Sequence, residues 1–313
     1  MIKFGTGGWR AIIGEEFTKE NIQKLALAMS LKIKAEHVED KPVVIGYDRR
    51  FLSKEAVIWS CEILGQQGIR VLFVDRSSPT PLIMFYVMKH DLSYGMMVTA
   101  SHNPAIYNGI KVFTRGGRDA DEHQTADIEK YLEQAEKLYV PDPEENGQMP
   151  PHAYQELVKS GRVVEMNPMN EYLDNIISLI NLDAIRERDL RIAIDPMYGV
   201  SLTALCTILS IARCTVETIN SQHDTLFGGK MPAPTESTLR SLQNYVLDRY
   251  CDIGIATDGD ADRLGVIDDK GHYLHANTIL VMLYYYLLKY RGWRGPVVRN
   301  LSTTHVLDKV AES

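Results

Sequence analysis

Three carboxylates stand at alternate positions of one short segment, Asp258-Gly259-Asp260-Ala261-Asp262, and Arg263 follows directly. Like charges at this spacing repel unless a cation offsets them, and an all-oxygen donor set suits a hard ion such as Mg²⁺, Ca²⁺ or Mn²⁺. The opening of an EF-hand calcium loop has the same spacing, but its sixth position must be glycine, and here it is Arg263. That argues against calcium sensing. Two other readings stay open at this point: Asp258 as an aspartyl nucleophile that attacks a phosphate, and a solvated acidic turn.

A second cluster is Thr99-Ala100-Ser101-His102-Asn103-Pro104, with Asn108-Gly109-Ile110-Lys111 close behind. A serine is a weak nucleophile unless it is activated. A hydrolase elbow would read GxSxG, which is absent around Ser101. A serine that carries phosphate is the alternative, and its added charge calls for nearby cations. The plain reading is a hydroxyl-capped turn beside a satisfied histidine. Three aspartates and one divalent ion still leave net negative charge, so phosphoryl transfer there needs further cations. Arg263 and Lys111 supply them if the two clusters share one cleft.

A third, weaker element is Phe4-Gly5-Thr6-Gly7-Gly8-Trp9-Arg10, whose glycines let backbone amides approach an anion while Arg10 offers a bidentate contact. Gly46-Tyr47-Asp48-Arg49-Arg50 places Asp48 and Arg49 at another strand end, as an ion pair bracing the site or in a direct role.

These clusters need strand ends to stand on. Apolar spacing predicts a helix from Thr18, its N-cap, to about His37, and a strand over Val43 to Tyr47. A Ser53-capped helix, a strand from Ile69 to Val74, one from Gly95 to Thr99, a hairpin over Asn108 to Gly117 and an acidic helix through Ile128 and Leu132 follow. Val140 to Pro151, rich in proline and charge, reads as a linker. The pattern then restarts with strand Leu190 to Ile194, helix Leu202 to Leu209, strand Thr215 to Ile219, helix Leu239 to Leu247 and strand Asp252 to Ala256. A third start has helix Thr278 to Tyr290, strand Pro296 to Val298 and a helix from Thr303 or Thr304. The expected class is α/β: successive mixed α/β/α sandwich domains with largely parallel sheets, at 1–150, 151–272 and, cut short, 273–313.

Taken together, TASHNP, NGIK, DGDADR and FGTGGWR resemble the corresponding loops of the α-D-phosphohexomutase superfamily, the phosphoglucomutases and phosphomannomutases, in order across nearly the whole chain. The resemblance implies Mg²⁺ held by Asp258, Asp260, Asp262 and a phosphoryl oxygen on Ser101. It implies that phosphoserine 101 exchanges its phosphoryl group with a hexose phosphate through a bisphosphate, with glucose 1,6-bisphosphate or the matching sugar as phosphorylating activator. Arg10, Lys111 and Arg263 would stabilise the transferring group, and His102 would orient the phosphoserine. Phosphoglucomutase is the member it leans toward. The family has four domains, so the resemblance also implies that a chain ending at Ser313 has little mutase activity, though it can bind Mg²⁺ and carry phosphate. A phosphatase using Asp258 and a non-catalytic phosphosugar-binding module are the rival functions.

Acidic residues outnumber basic ones 41 to 34, which argues against nucleic acid as the main ligand and leaves a small phosphosugar as the expected partner. The longest apolar run, Thr278 to Leu288, is roughly half of the ~20 residues that span a bilayer, so no membrane is expected. An N-terminus without a basic, then apolar, leader and four cysteines (Cys61, Cys206, Cys214, Cys251) without a CxxC point to a cytoplasmic chain with structural thiols. Oligomeric state is not legible.

Overall fold

The computed structural model describes residues 2–5, 8–140 and 153–312. All of the expected linker except Val140, together with Thr6 and Gly7 of the glycine-rich start, lies outside the described residues.

Trp9–Ile12 (β1) leads to Lys19–Ala35 (α1), whose N-cap Thr18 accepts the Asn21 N–H as expected. Next come Val43–Tyr47 (β2), Ser53–Gln66 (α2), Val71–Val74 (β3), Thr80–Lys89 (α3) and Tyr94–Val98 (β4). Tyr107–Thr114 (β5) and Arg118–Asp119 (β6) form the hairpin, and Glu122–Leu138 (α4), Ala153–Lys159 (α5) and Val163–Met166 (β7) follow. The first sheet has the order β1-β5-β4-β2-β3-β7, with β6 paired to β5. β4, β2, β3 and β7 run parallel, while β5 is antiparallel to both of its neighbours on that path. Because helices cover both faces, β4 is buried at every position, the pattern of a strand that meets apolar groups on each side. Ile22 and Leu25 of α1 pack on one face with Ile45 and Phe73, and Leu82, Ile83 and Val87 of α3 pack on the other with Val44 and Met97.

Ser53 does not cap α2. The N-cap is Leu52, in left-handed backbone (φ 62°), and the Ser53 hydroxyl turns inward to donate to Asp48 Oδ1 at 3.0 Å. Strand β7 comes after residue 150, where the first domain was expected to end, yet it pairs in parallel with β3 in the first sheet. It covers an edge that would otherwise present unpaired backbone groups.

Met169–Leu179 (α6), Leu182–Arg186 (α7), Arg191–Asp195 (β8), Leu202–Ile211 (α8), Thr215–Thr218 (β9), Arg240–Asp248 (α9), Ile253–Thr257 (β10), Leu264–Asp268 (β11) and Tyr273–Leu274 (β12) form the second unit. Its sheet runs β12-β11-β10-β8-β9, parallel through β10, β8 and β9. Leu242 and Val246 of α9 pack with Ala193, Ala256 and Ile267. Helix α6 joins the units: Met169 and Tyr172 pack on the α3 side of the first core, and Leu173 packs on Ala204 and Ile208 of α8. The class is therefore mixed α/β with largely parallel sheets, as expected.

Ala276–Lys289 (α10) and Val306–Glu312 (α11) pack on each other, and α10 has no buried residue. The strand expected at Pro296 to Val298 is absent. The segment is irregular and exposed, with no neighbouring strand among the described residues to complete a ladder. No helix among the described residues is long and apolar enough to cross a membrane. All four cysteines are free thiols: Cys61 and Cys251 are buried, and Cys206 and Cys214 half-buried.

Candidate active site

Past the end of β4 the chain turns through 99–106 before returning as β5. Ser101, at the turn, has φ 53°, a left-handed conformation sparsely populated by residues other than glycine. Its N–H donates to Thr99 Oγ1 at 2.8 Å. Its hydroxyl donates to Asp258 Oδ2 at 3.0 Å, across 157 residues of sequence, and His102 Nδ1 lies 3.4 Å from the same hydroxyl. The two chemically dense clusters thus meet in one place.

The aspartate loop joins β10 to the antiparallel β11. Asp258 caps its own turn, its Oδ1 accepting the N–H groups of Asp262 and Arg263, each at 3.0 Å. Asp260 Oδ2 accepts the Thr80 hydroxyl at 2.6 Å and Lys111 Nζ at 2.8 Å, while Asp262 Oδ2 accepts the same ammonium at 2.6 Å. Asp260 Oδ1 is buried and has no hydrogen-bond partner. Carboxylate oxygens of the three aspartates lie within 4.8 Å of one another.

Burial and the charges of Asp260 and Asp262 push Asp258 up to about 8. Burial works against the Asp260 charge too, but the Lys111 ammonium and the Thr80 hydroxyl outweigh it and hold that carboxyl low. Burial likewise acts to lower Lys111, and the two aspartates reverse it. His102 is lowered by burial and by the nearby charges of Arg263 and Arg10, which favours a neutral imidazole.

Arg10 lies on β1 opposite Gly109 of β5 and donates to Asn103 Oδ1 at 2.7 Å. Glycine is required at 109, since a Cβ there would lie 2.1 Å from the Trp9 carbonyl oxygen. Arg263 is half exposed, its Nε 3.9 Å from Asp258 Oδ2. The buried ion pair anticipated at Asp48 forms with Arg50 instead of Arg49: Arg50 Nε is 3.3 Å from Asp48 Oδ2, with both side chains at 0% exposure. Arg49 reaches across to the second unit and donates to the carbonyls of Tyr198, Ser221 and Gln222 at 3.2–3.4 Å.

Thr80 and Asn103 were not singled out from sequence, nor was Arg50 separated from its neighbour. The one available signal for Thr80 is its place between Pro79 and Pro81, which marks a helix start just past a strand end.

An all-oxygen, strongly anionic donor set with an unpartnered buried oxygen on Asp260 fits a hard divalent ion. Asp258, Asp260 and Asp262 would hold it, with the group on Ser101 as a further oxygen donor. The arrangement is suited to moving a phosphoryl group to and from the Ser101 hydroxyl among fixed cations.

Comparison with known proteins agrees. Residues 1–139 match the family description Phosphoglucomutase/phosphomannomutase, alpha/beta/alpha domain I, and residues 170–271 match domain II of the same family. A protein of Pyrococcus abyssi named as a probable phosphoglucosamine mutase is 32% identical over 308 residues, covering 97% of this chain and 62% of its own length. A phosphoglucomutase/phosphomannomutase of Thermococcus kodakarensis is 28% identical over 312 residues, covering 99% of this chain and 64% of its own. The chain thus spans less than two thirds of the length of these relatives. The crystal structure of a Thermus thermophilus protein, described as a candidate phosphomannomutase, superposes with a TM-score of 0.84 at 27% identity, over 99% of this chain and 67% of that one. Motif order, sheet topology and the meeting of Ser101 with Asp258 lead to one conclusion: the chain belongs to the phosphoglucomutase/phosphomannomutase family of α-D-phosphohexomutases.

Proposed function

We propose that this chain carries the phosphoserine and metal-binding part of a mutase that interconverts hexose 1-phosphates and 6-phosphates, with Ser101 as phosphoryl carrier. The observation that supports this most is the 3.0 Å bond from Ser101 Oγ to Asp258 Oδ2. It seats the acceptor hydroxyl at a carboxylate cluster with a free buried oxygen.

In the forward direction the phosphorus–oxygen bond to Ser101 breaks as one forms to a sugar hydroxyl, whose proton ends on the Ser101 oxygen. In the return step the bond from the bisphosphate's other phosphorus to the sugar oxygen breaks as one forms to Ser101, and the Ser101 proton passes to the sugar oxygen left behind. In this reading Lys111 and Arg263 offset charge on the transferring group, where most of the catalysis of such reactions lies, which their nearness to the aspartates supports. His102, neutral, can accept or donate a hydrogen bond at the Ser101 oxygen. Bound Mg²⁺ would add electrostatic stabilisation of the phosphoryl oxygens.

The sugar expected from the sequence resemblance is glucose, while the names of the relatives add glucosamine and mannose. A panel of their 1-phosphates and 1,6-bisphosphates is therefore the substrate test. Intact-mass measurement after exposure to glucose 1,6-bisphosphate and Mg²⁺ should show one added phosphoryl group, lost in Ser101→Ala and after chelation. Phosphate release that needs Asp258 but not Ser101 would instead establish the phosphatase. That reading is weakened because both Asp258 oxygens already accept hydrogen bonds from the loop and from Ser101. Binding of the bisphosphate without phosphorylation would favour a non-catalytic module.

A further inference from the structure

Arg50 binds none of the groups assigned to the reaction, yet it makes more bonds to the Ser101 loop than any other side chain described above. Its Nη2 donates to the carbonyls of Ser101 and Asn103, both at 2.7 Å, and its Nη1 to those of Pro104 at 2.9 Å and Tyr107 at 3.0 Å. Its partner Asp48 accepts the Arg50 N–H and the Ser53 hydroxyl at Oδ1, each at 3.0 Å, and the Thr99 hydroxyl at Oδ2 at 2.6 Å. The Thr99 oxygen in turn accepts the Ser101 N–H. One buried ion pair therefore holds both backbone groups of Ser101: Arg50 takes the carbonyl, and Asp48 takes the amide through Thr99.

Two observations indicate that this serves the geometry of Ser101. A left-handed serine persists only where its surroundings over-determine it. A buried ion pair, moreover, is rarely more stabilising than an apolar pair of the same size, so stability alone does not account for the pair. The second unit closes the arrangement. The Phe227 ring faces the Arg50 guanidinium at 4.9 Å, and a Cβ at Gly259 would lie 2.9 Å from the Ser101 carbonyl oxygen. The carbonyl that Arg50 holds is thus the one against which the aspartate loop packs.

We propose that Arg50, braced by Asp48 and covered by Phe227, is a positioning residue that fixes the Ser101 backbone so that its hydroxyl meets the aspartate cluster. The effect on rate rests on Ser101 being the phosphoryl carrier.

The test is Arg50→Lys, which keeps the charge and loses the fork that holds four carbonyls. Single-turnover phosphorylation of Ser101 by glucose 1,6-bisphosphate should slow about 100-fold, the scale of a misplacement near 1 Å. Half-saturating Mg²⁺ and bisphosphate should stay within about threefold, a split that general destabilisation does not produce. Amide exchange across residues 99–108 should quicken. A folded variant with a wild-type rate, or a loss explained by weaker saturation, overturns the proposal. Should Arg50→Lys fail to fold, Phe227→Leu is the second variant: loss of the cation–π contact should slow phosphorylation about tenfold at unchanged saturation, and an unchanged rate overturns the proposal. If the wild-type chain takes no phosphate at all, the phosphoserine reading fails. The positioning claim is then decided by exchange alone, in whichever variant folds, and unaltered protection of 99–108 overturns it.

Discussion

Asp48 directly follows β2 and Asp195 ends β8, each at the end of the strand beside the one that feeds the site, and each accepts the N–H two residues on, from Arg50 at 3.0 Å and from Met197 at 2.8 Å. A helix follows in both units, with Ser53 or Ser201 turned inward at its start. The neighbouring strand leads to a threonine in both, Thr99 bonded to Asp48 and Thr257 to Ser201. The difference lies in what meets the carboxylate. Asp48 has the Arg50 guanidinium, whereas Asp195 has the neutral amide of Asn220 at 2.9 Å. Burial raises both carboxyls; the charge of Arg50 is the first effect opposing it at Asp48, whereas at Asp195 the Met197 N–H and the Asn220 amide come before the charge of Lys230. The first unit steadies its reactive loop with an ion pair. The second does so with main chain: Val200 N donates to the Gly259 carbonyl, and Gly199 packs directly against it. If Ser101 carries phosphate as proposed, the clamp on its loop grips main-chain carbonyls and leaves the hydroxyl free, whereas the cation at the aspartate loop, Lys111, grips the carboxylates themselves.

Breaking the ion pair should cost most. Asp48→Ala leaves Arg50 buried and unpaired, and the denaturant midpoint should fall by the equivalent of about 3–5 kcal/mol. A loss as small as that of an ordinary surface change would erase the distinction between the units. Gly199→Ala tests the main-chain device. Its Cβ would lie 2.6 Å from the Gly259 carbonyl oxygen, so about 1–3 kcal/mol of overpacking cost is expected, with weaker Mg²⁺ binding by calorimetry as the marker that the aspartate loop has moved. Thr80→Val removes one of the first unit's side-chain bonds to Asp260 and leaves that of Lys111. A loss of about 1–2 kcal/mol is expected, together with lower Mg²⁺ affinity, and stability loss without the change in affinity would count against that role.

Asp195→Asn should have the smallest effect, within about 1 kcal/mol, and its sign follows from burial. A carboxyl raised in the folded state opposes folding once pH exceeds its ordinary value of 3.8. The variant should therefore gain melting temperature relative to wild type as pH rises through the raised value, and lose that gain as pH falls toward 4. The matching Asp48→Asn should drift in the same direction with pH, because burial raises that carboxyl too, but from a lower starting stability, since it gives up a charge that Arg50 uses.

Ser101, Lys111 and the three aspartates could be picked out because their polar groups are dense in the chain itself, and the structure brings them into contact. Thr80 and Arg50 could not, because what they do exists only after folding: Thr80 meets Asp260 across 180 residues, and Arg50 meets the Ser101 carbonyl across 51. The parallel strands were readable as apolar runs bounded by helices. Helix α3 was not, since Pro-Leu-Ile-Met-Phe-Tyr-Val-Met is apolar on every side and carries no helical stripe. The strand expected at Pro296 to Val298 shows the opposite failure, an apolar segment that has nothing to pair with among the described residues.

Lys111 touches two of the three carboxylates that would hold the metal. It serves as a counter-ion built into the chain, so the repulsion among the aspartates is already partly cancelled before any metal arrives. If the aspartates hold a divalent ion, their site is held together by the chain itself and does not need the ion to form.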